Sequence, residues 1–180
     1  MSANQENFRI WYARVLEYLS KDGHAGFAML MIAFPILERY LREKSGVHEG
    51  NLNDKSYDEL RAVFPMLVDK KMASDFWHVY RNGLLHQVTM SQQNRAGLRM
   101  PDGWLSGDAE MISVDGSGSF WVHPAKFSFR VIEVIDADFA TFEGAHSVNH
   151  PLPVVHHAMG ATATPTLAYT TFTAPPTGTP

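Results

Sequence analysis

Cysteine is absent from the 180-residue chain. That excludes disulfides, thiolate metal centres and a cysteine nucleophile. Basic residues are the minority, 15 against 19 acidic ones, for a net charge of −4 with histidine neutral. A protein that coats nucleic acid without sequence preference is normally basic. Broad nucleic-acid binding is therefore disfavoured, while a small local phosphate site is not. Long apolar runs are also missing. The longest nearly apolar stretch, Ala25 to Leu37, falls well short of the roughly 20 residues a membrane span needs. The opening MSANQENFRIWYARV lacks the basic stretch and apolar run of a secretory signal. A soluble, cytoplasmic protein without a membrane partner is the expectation.

What is present suffices for one packed domain, since hydrophobic residues make up 45% of the chain and aromatics 12%. Phe8, Trp11, Tyr12, Val15, Leu16 and Leu19 mark one face of an amphipathic helix over about Asn4 to Lys21. A second helix is predicted from Ala25 to Lys44, apolar all round in its first half and kinked at Pro35. The Met and aromatic positions Met29, Met31, Phe34 and Phe64 read as core. Ser56-Tyr57-Asp58-Glu59 has the S-x-x-E form of a capping box, followed by a stripe from Leu60 to Val68 that Pro65 bends or cuts short. Ser74 or Asp75 can cap the next segment. Residues from Gln92 to Gly103 read as a loop. Short β-prone runs at Glu110 to Val114 and Ser119 to His123 flank Asp115-Gly116-Ser117-Gly118, the pattern of a β-hairpin. This G-x-G lacks the third glycine and the following helix of a dinucleotide fingerprint. Pro124 suits the first position of a last helix, which ends near Gly144.

The stretch WHVYRNGLLHQV, Trp77 to Val88, admits two readings. Asn82-Gly83 is a strong two-residue hairpin turn. Against that, Leu84-Leu85 breaks strict alternation, and Phe76, Val79, Tyr80, Gly83, Leu84 and Val88 fit a helical face. In the helical reading Asn82 and His86 lie one turn apart, with His78 a turn earlier and Arg81 about 100° around. A guanidinium, an amide and an imidazole then meet on one face. An imidazole exchanges protons near neutral pH, and a guanidinium holds phosphate oxygens and transition-state charge. In RNA, the 2′-hydroxyl attacks the adjacent phosphate and the 5′-oxygen leaves with a proton. That chemistry calls for no metal or cofactor.

Arg81-Asn82-Gly83-Leu84-Leu85-His86 reads R-N-x-x-x-H and resembles the R-x(4–6)-H signature of HEPN-domain proteins. The resemblance implies a bundle of four to five helices with the motif on a late core helix. It implies a metal-independent endoribonuclease that works as a homodimer, its site shared by two copies, in a toxin–antitoxin or phage-defence setting. Arg81 would then bind phosphate, Asn82 would orient, and His86 would act as acid/base. An exposed Leu85 is readily explained by a covering second subunit. The alternative is a non-enzymatic helical interaction module, paired for example with an antitoxin, in which Arg81 bridges a carboxylate and His86 is structural.

The fold class expected is therefore mainly all-α, with a small β-hairpin near 110–123 on a bundle spanning 1–145. Residues 146–180 form an irregular tail with no Asp, Glu, Lys or Arg, and hold six of the ten prolines. His146, His150, His156 and His157 in the tail lack a nearby carboxylate, so no metal site is expected from them. His123 reads as a helix-start histidine.

Overall fold

The computed structural model describes residues 2–87, 101–108 and 110–144, with the backbone alone at 84–87. It is mainly helical, with one three-stranded sheet. The tail and its histidines lie outside the described residues.

The N-terminal helical run consists of α1 (Ala3–Phe8), a π-helical turn (Arg9–Ala13) and α2 (Arg14–Leu19). Ser2 caps it, its Oγ accepting from the Gln5 amide at 3.1 Å. Phe8 and Leu16 are buried, but Trp11 and Val15 are exposed. The expected stripe is too wide because a π turn holds more residues than an α turn and shifts the phase of the pattern midway.

Helix α3 (Gly26–Ser45) runs through Pro35 and is the central element, packing against α2, α4, α6, α7 and the π-helical segment described below. Met29, Leu30, Ala33, Phe34, Ile36, Leu37, Tyr40 and Leu41 are buried along it. Met31 is not core as expected, because it falls on the side away from these neighbours. The left-handed Gly46 ends the helix, at φ 71°.

Helix α4 (Asp54–Val63) starts before the expected capping box. Asn53 is the cap, its Oδ1 accepting from Lys55 and Ser56 amides at 3.0 and 3.3 Å. Ser56 is buried inside the helix instead, its hydroxyl 2.9 Å from that of Ser45. The helix stops at Val63 because Phe64 precedes proline, and the ring of Pro65 drives it out of the α region to φ −126°, ψ 80°. The stripe predicted through Val68 is thus cut at Phe64. Helix α5 (Lys70–Trp77) is capped by Asp69, not by Ser74 or Asp75; Asp69 Oδ1 accepts from the Met72 amide at 2.8 Å. It passes without interruption into a π-helical segment, His78–Gln87. Asn82-Gly83 therefore makes no hairpin turn.

The expected hairpin is present as β2 (Ile112–Val114) and β3 (Phe120–Val122), antiparallel across a turn that ends at Gly118, φ 85°. The sequence reading missed β1 (Gly103–Leu105), which pairs in parallel with β3 and gives the order β1-β3-β2. Three residues are too few to show alternation. His123 caps α6 (Pro124–Ala137), its Nδ1 accepting from the Lys126 amide at 3.4 Å. A break at Asp138 separates α6 from α7 (Phe139–Glu143), and Gly144 closes α7 at φ 51°.

Aromatic rings fill the core. Phe34 stands 4.9 Å from Phe127, 6.1 Å from Tyr80 and 6.0 Å from Phe76, and Phe127 stacks on Phe64 at 4.8 Å. Tyr80 also joins helix to sheet. Its hydroxyl accepts from the Trp104 amide at 3.0 Å and faces the carbonyls of Trp104 and Phe120 at 2.9 and 3.0 Å. Burial pushes the phenol's pKa well above its ordinary value, so it stays protonated and donates to a carbonyl. Tyr80→Phe keeps the ring and orphans these groups. We expect a loss of about 1 to 3 kcal/mol in denaturant unfolding, with faster hydrogen exchange at the Trp104 amide.

Candidate functional site

Arg81 and Asn82 lie in the π-helical segment, on its first turn after His78. The inward side is fixed by Val79 and Tyr80 of this segment and by Phe76 near the end of α5, all buried as the helical reading requires. Arg81 and Asn82 are left half-buried at the rim. They line a small polar pocket of about 90 Å³ together with His78, Asn51 and two α3 residues, Glu38 and Arg42.

Glu38 organises this pocket. Its Oε2 accepts from Arg81 Nε at 2.7 Å, and its Oε1 accepts from Arg42 Nε and Nη2 at 3.0 and 2.7 Å. Each carboxylate oxygen thus serves one guanidinium. Arg42 sits one turn along α3 and also donates to the carbonyls of Val47 and Gly50, at 3.2 and 2.9 Å. It thereby ties the loop after α3 to the pocket wall. Arg81 Nη1 donates to Asn82 Oδ1 at 3.0 Å. His78 Nδ1 donates to the Ser74 carbonyl at 2.7 Å.

The electrostatics follow from this arrangement. Burial works to raise the Glu38 pKa, but the hydrogen bonds and charges of Arg81 and Arg42 outweigh it and hold the carboxyl below its ordinary value. Two guanidiniums against one carboxylate leave a local charge of about +1, which suits an anion.

Of the three residues proposed from sequence, Arg81 and Asn82 are brought together. The backbone of His86 lies in the same helical segment, and its side chain is outside the described residues, as is that of Leu85. The 100° step assumed for an α-helix does not hold here. A π-helix bonds i to i+5, so Arg81 and His86, five apart, are separated by one turn of it. Sequence reasoning missed Glu38 and Arg42. Their i, i+4 spacing on α3 was a readable ion-pair signal, but nothing local linked it to a motif 43 residues away. Among the described residues, no group of three or more His, Asp or Glu side chains is placed to hold a metal. No helix among them is long and apolar enough to cross a membrane.

Glu38→Gln leaves two guanidiniums sharing a neutral amide. We expect a loss of about 2 to 3 kcal/mol at pH 7, given that the site is partly solvated. The folded carboxyl titrates below its unfolded counterpart, so its stabilisation is complete above the ordinary Glu range and is lost as pH falls through the depressed value. The gap between the parent protein and Glu38→Gln should hence narrow on acidification below about pH 4, as read by urea melts at several pH values. Comparison with protein-family models, curated proteins and solved structures finds no match to this chain.

Proposed function

We propose that the chain is a HEPN-like endoribonuclease that cleaves RNA without a metal, acting in the cytoplasm as a homodimer. The observation that carries this reading is the convergence of Arg81 and Asn82 on a polar pocket already held by a second guanidinium, Arg42. Glu38 fixes the Arg81 side chain before substrate arrives, so little ordering is left for the moment of reaction. In the proposed step the 2′-oxygen of the substrate bonds to phosphorus and the bond to the 5′-oxygen breaks, giving a 2′,3′-cyclic phosphate and a 5′-hydroxyl. Arg81 balances the charge on the phosphoryl oxygens, Asn82 orients them, and His86 transfers a proton. The R-N-x-x-x-H motif and the helical state of its backbone support the assignment. So does the π-helical form, which is uncommon and recurs at functional sites.

A second reading is a non-enzymatic interaction module that pairs with a partner such as an antitoxin. The specific observation in its favour is the 2.7 Å bond between Arg81 and Glu38, which already gives the guanidinium a carboxylate. The chain's net charge of −4 points the same way.

An RNA cleavage assay in EDTA separates the two. On the enzyme reading the parent protein cleaves, and Arg81→Ala and His86→Ala each slow cleavage about 10²- to 10⁴-fold, with circular dichroism showing that both remain folded. Cleavage that is absent in the parent, or equal in parent and variants, would overturn this assignment.

A further inference from the structure

Cleavage of RNA through its 2′-hydroxyl needs two proton transfers, one from the 2′-oxygen and one to the 5′-oxygen. The R-N-x-x-x-H motif holds a single imidazole, that of His86. The pocket supplies another. His78 lies three residues before Arg81, is half-buried, and lines the pocket beside Arg81 and Asn82.

The setting of His78 fixes which atom of the ring can react. Its Nδ1 is 2.7 Å from the Ser74 carbonyl oxygen, one turn back on α5, with the Ser74 hydroxyl more distant at 3.5 Å. A carbonyl only accepts, so Nδ1 carries a proton whatever the charge of the ring. Any proton the ring takes or gives is therefore exchanged at Nε2. Among the described residues, Nε2 has no hydrogen-bond partner. Its polar neighbours in the pocket are engaged with one another. Glu38 is divided between two guanidiniums, Arg42 reaches two backbone carbonyls, and Arg81 Nη1 donates to Asn82.

The titratable or charged groups that share the pocket with His78 are Glu38 and Arg42 from α3, Tyr57 from α4, and Arg81. The guanidiniums hold Glu38 below its ordinary range against its burial, and burial raises the Tyr57 phenol above its own. Neither changes charge near neutral pH, where an imidazole can.

Resting on the ribonuclease reading, we propose that His78 is the general base of the cleavage. When the ring holds one proton, on Nδ1, the Nε2 lone pair takes the proton of the 2′-hydroxyl as the 2′-oxygen bonds to phosphorus. His86 gives a proton to the 5′-oxygen as its bond to phosphorus breaks. The Ser74 carbonyl orients the ring, and its bond to Nδ1–H strengthens as the ring gains charge. Exchange with water then returns both histidines to their starting states.

The test compares the parent protein, His78→Asn and His86→Ala on two substrates. One is a single-stranded RNA, and the other is the same RNA with sulfur in place of the bridging 5′-oxygen at the linkage the parent cuts. A thiolate leaves without a proton, so the sulfur substrate needs a base but no acid. His78→Asn keeps an N–H for the Ser74 carbonyl and removes the titrating nitrogen. It should cleave both substrates about 10²- to 10³-fold more slowly than the parent. It should also lose the rise of kcat/KM with pH on the acidic side, where a base must first shed its proton. A variant that was merely loosened in structure would keep that rise. His86→Ala should be slow on RNA and recover most of its rate on the sulfur substrate. Parent-like cleavage by His78→Asn, with Arg81→Ala and His86→Ala still slow, would overturn this inference and leave the ribonuclease reading standing. Recovery of His78→Asn on the sulfur substrate, or an unchanged acidic limb, would overturn it too. A parent protein that cleaves neither substrate would overturn both.

Discussion

One carboxylate between two guanidiniums sets the geometry of the candidate site. Glu38 projects from the central helix α3, which is held in place by the aromatic cluster around Phe34. Its two oxygens divide between Arg42 on the same helix and Arg81 on the π-helical segment. A half-buried carboxylate bears a desolvation cost that only such charged, hydrogen-bonded partners offset. The position of Arg81 therefore depends on α3, and the loop after α3 is held through Arg42 to the same group. Removing the carboxylate would loosen a helix, a loop and the pocket between them together.

The opposite side of the π-helical segment is anchored by different means. Tyr80 points away from the pocket into the core, and its hydroxyl meets backbone groups of β1 and β3. Glu38 on one side and Tyr80 on the other fix the rotation of the segment about its axis. That rotation decides which residues face the pocket. The same hydroxyl helps hold β1 in parallel with β3, and that pairing aligns Trp104 with Trp121 on the outer face. The site and the aromatic row thus share one structural support while facing different surroundings.

Much of the helical architecture was legible in the sequence. The helical reading of Trp77 to Val88 rested on Phe76, Val79 and Tyr80 sharing a face, and all three are buried. The hairpin at Asp115 to Gly118 was readable because glycine there supplies a positive φ that few other residues tolerate. Helix starts were less legible. Ser56-x-x-Glu59 satisfies the capping-box pattern, but Asn53 offers a competing cap three residues earlier, and the buried Ser56 hydroxyl is used by Ser45. Strand β1 could not be seen because its pairing is with a strand 17 residues on, and three residues carry no period. The π-helical form escaped for a related reason, since patterns are read at the α period and a wider turn only blurs them. Within the site, Arg81 and Asn82 were legible from the motif, whereas Glu38 and Arg42 were readable only as an i, i+4 pair on α3, and tertiary packing joins that pair to Arg81.

The central claim is that Arg81 is held at the pocket by Glu38. A double-mutant cycle on unfolding free energy tests it most directly, using Glu38→Gln, Arg81→Gln and the pair together. The account predicts a coupling of about 1 to 2 kcal/mol at pH 7, declining in acid as the carboxylate takes up a proton. Strictly additive effects of the two substitutions at pH 7 would contradict it.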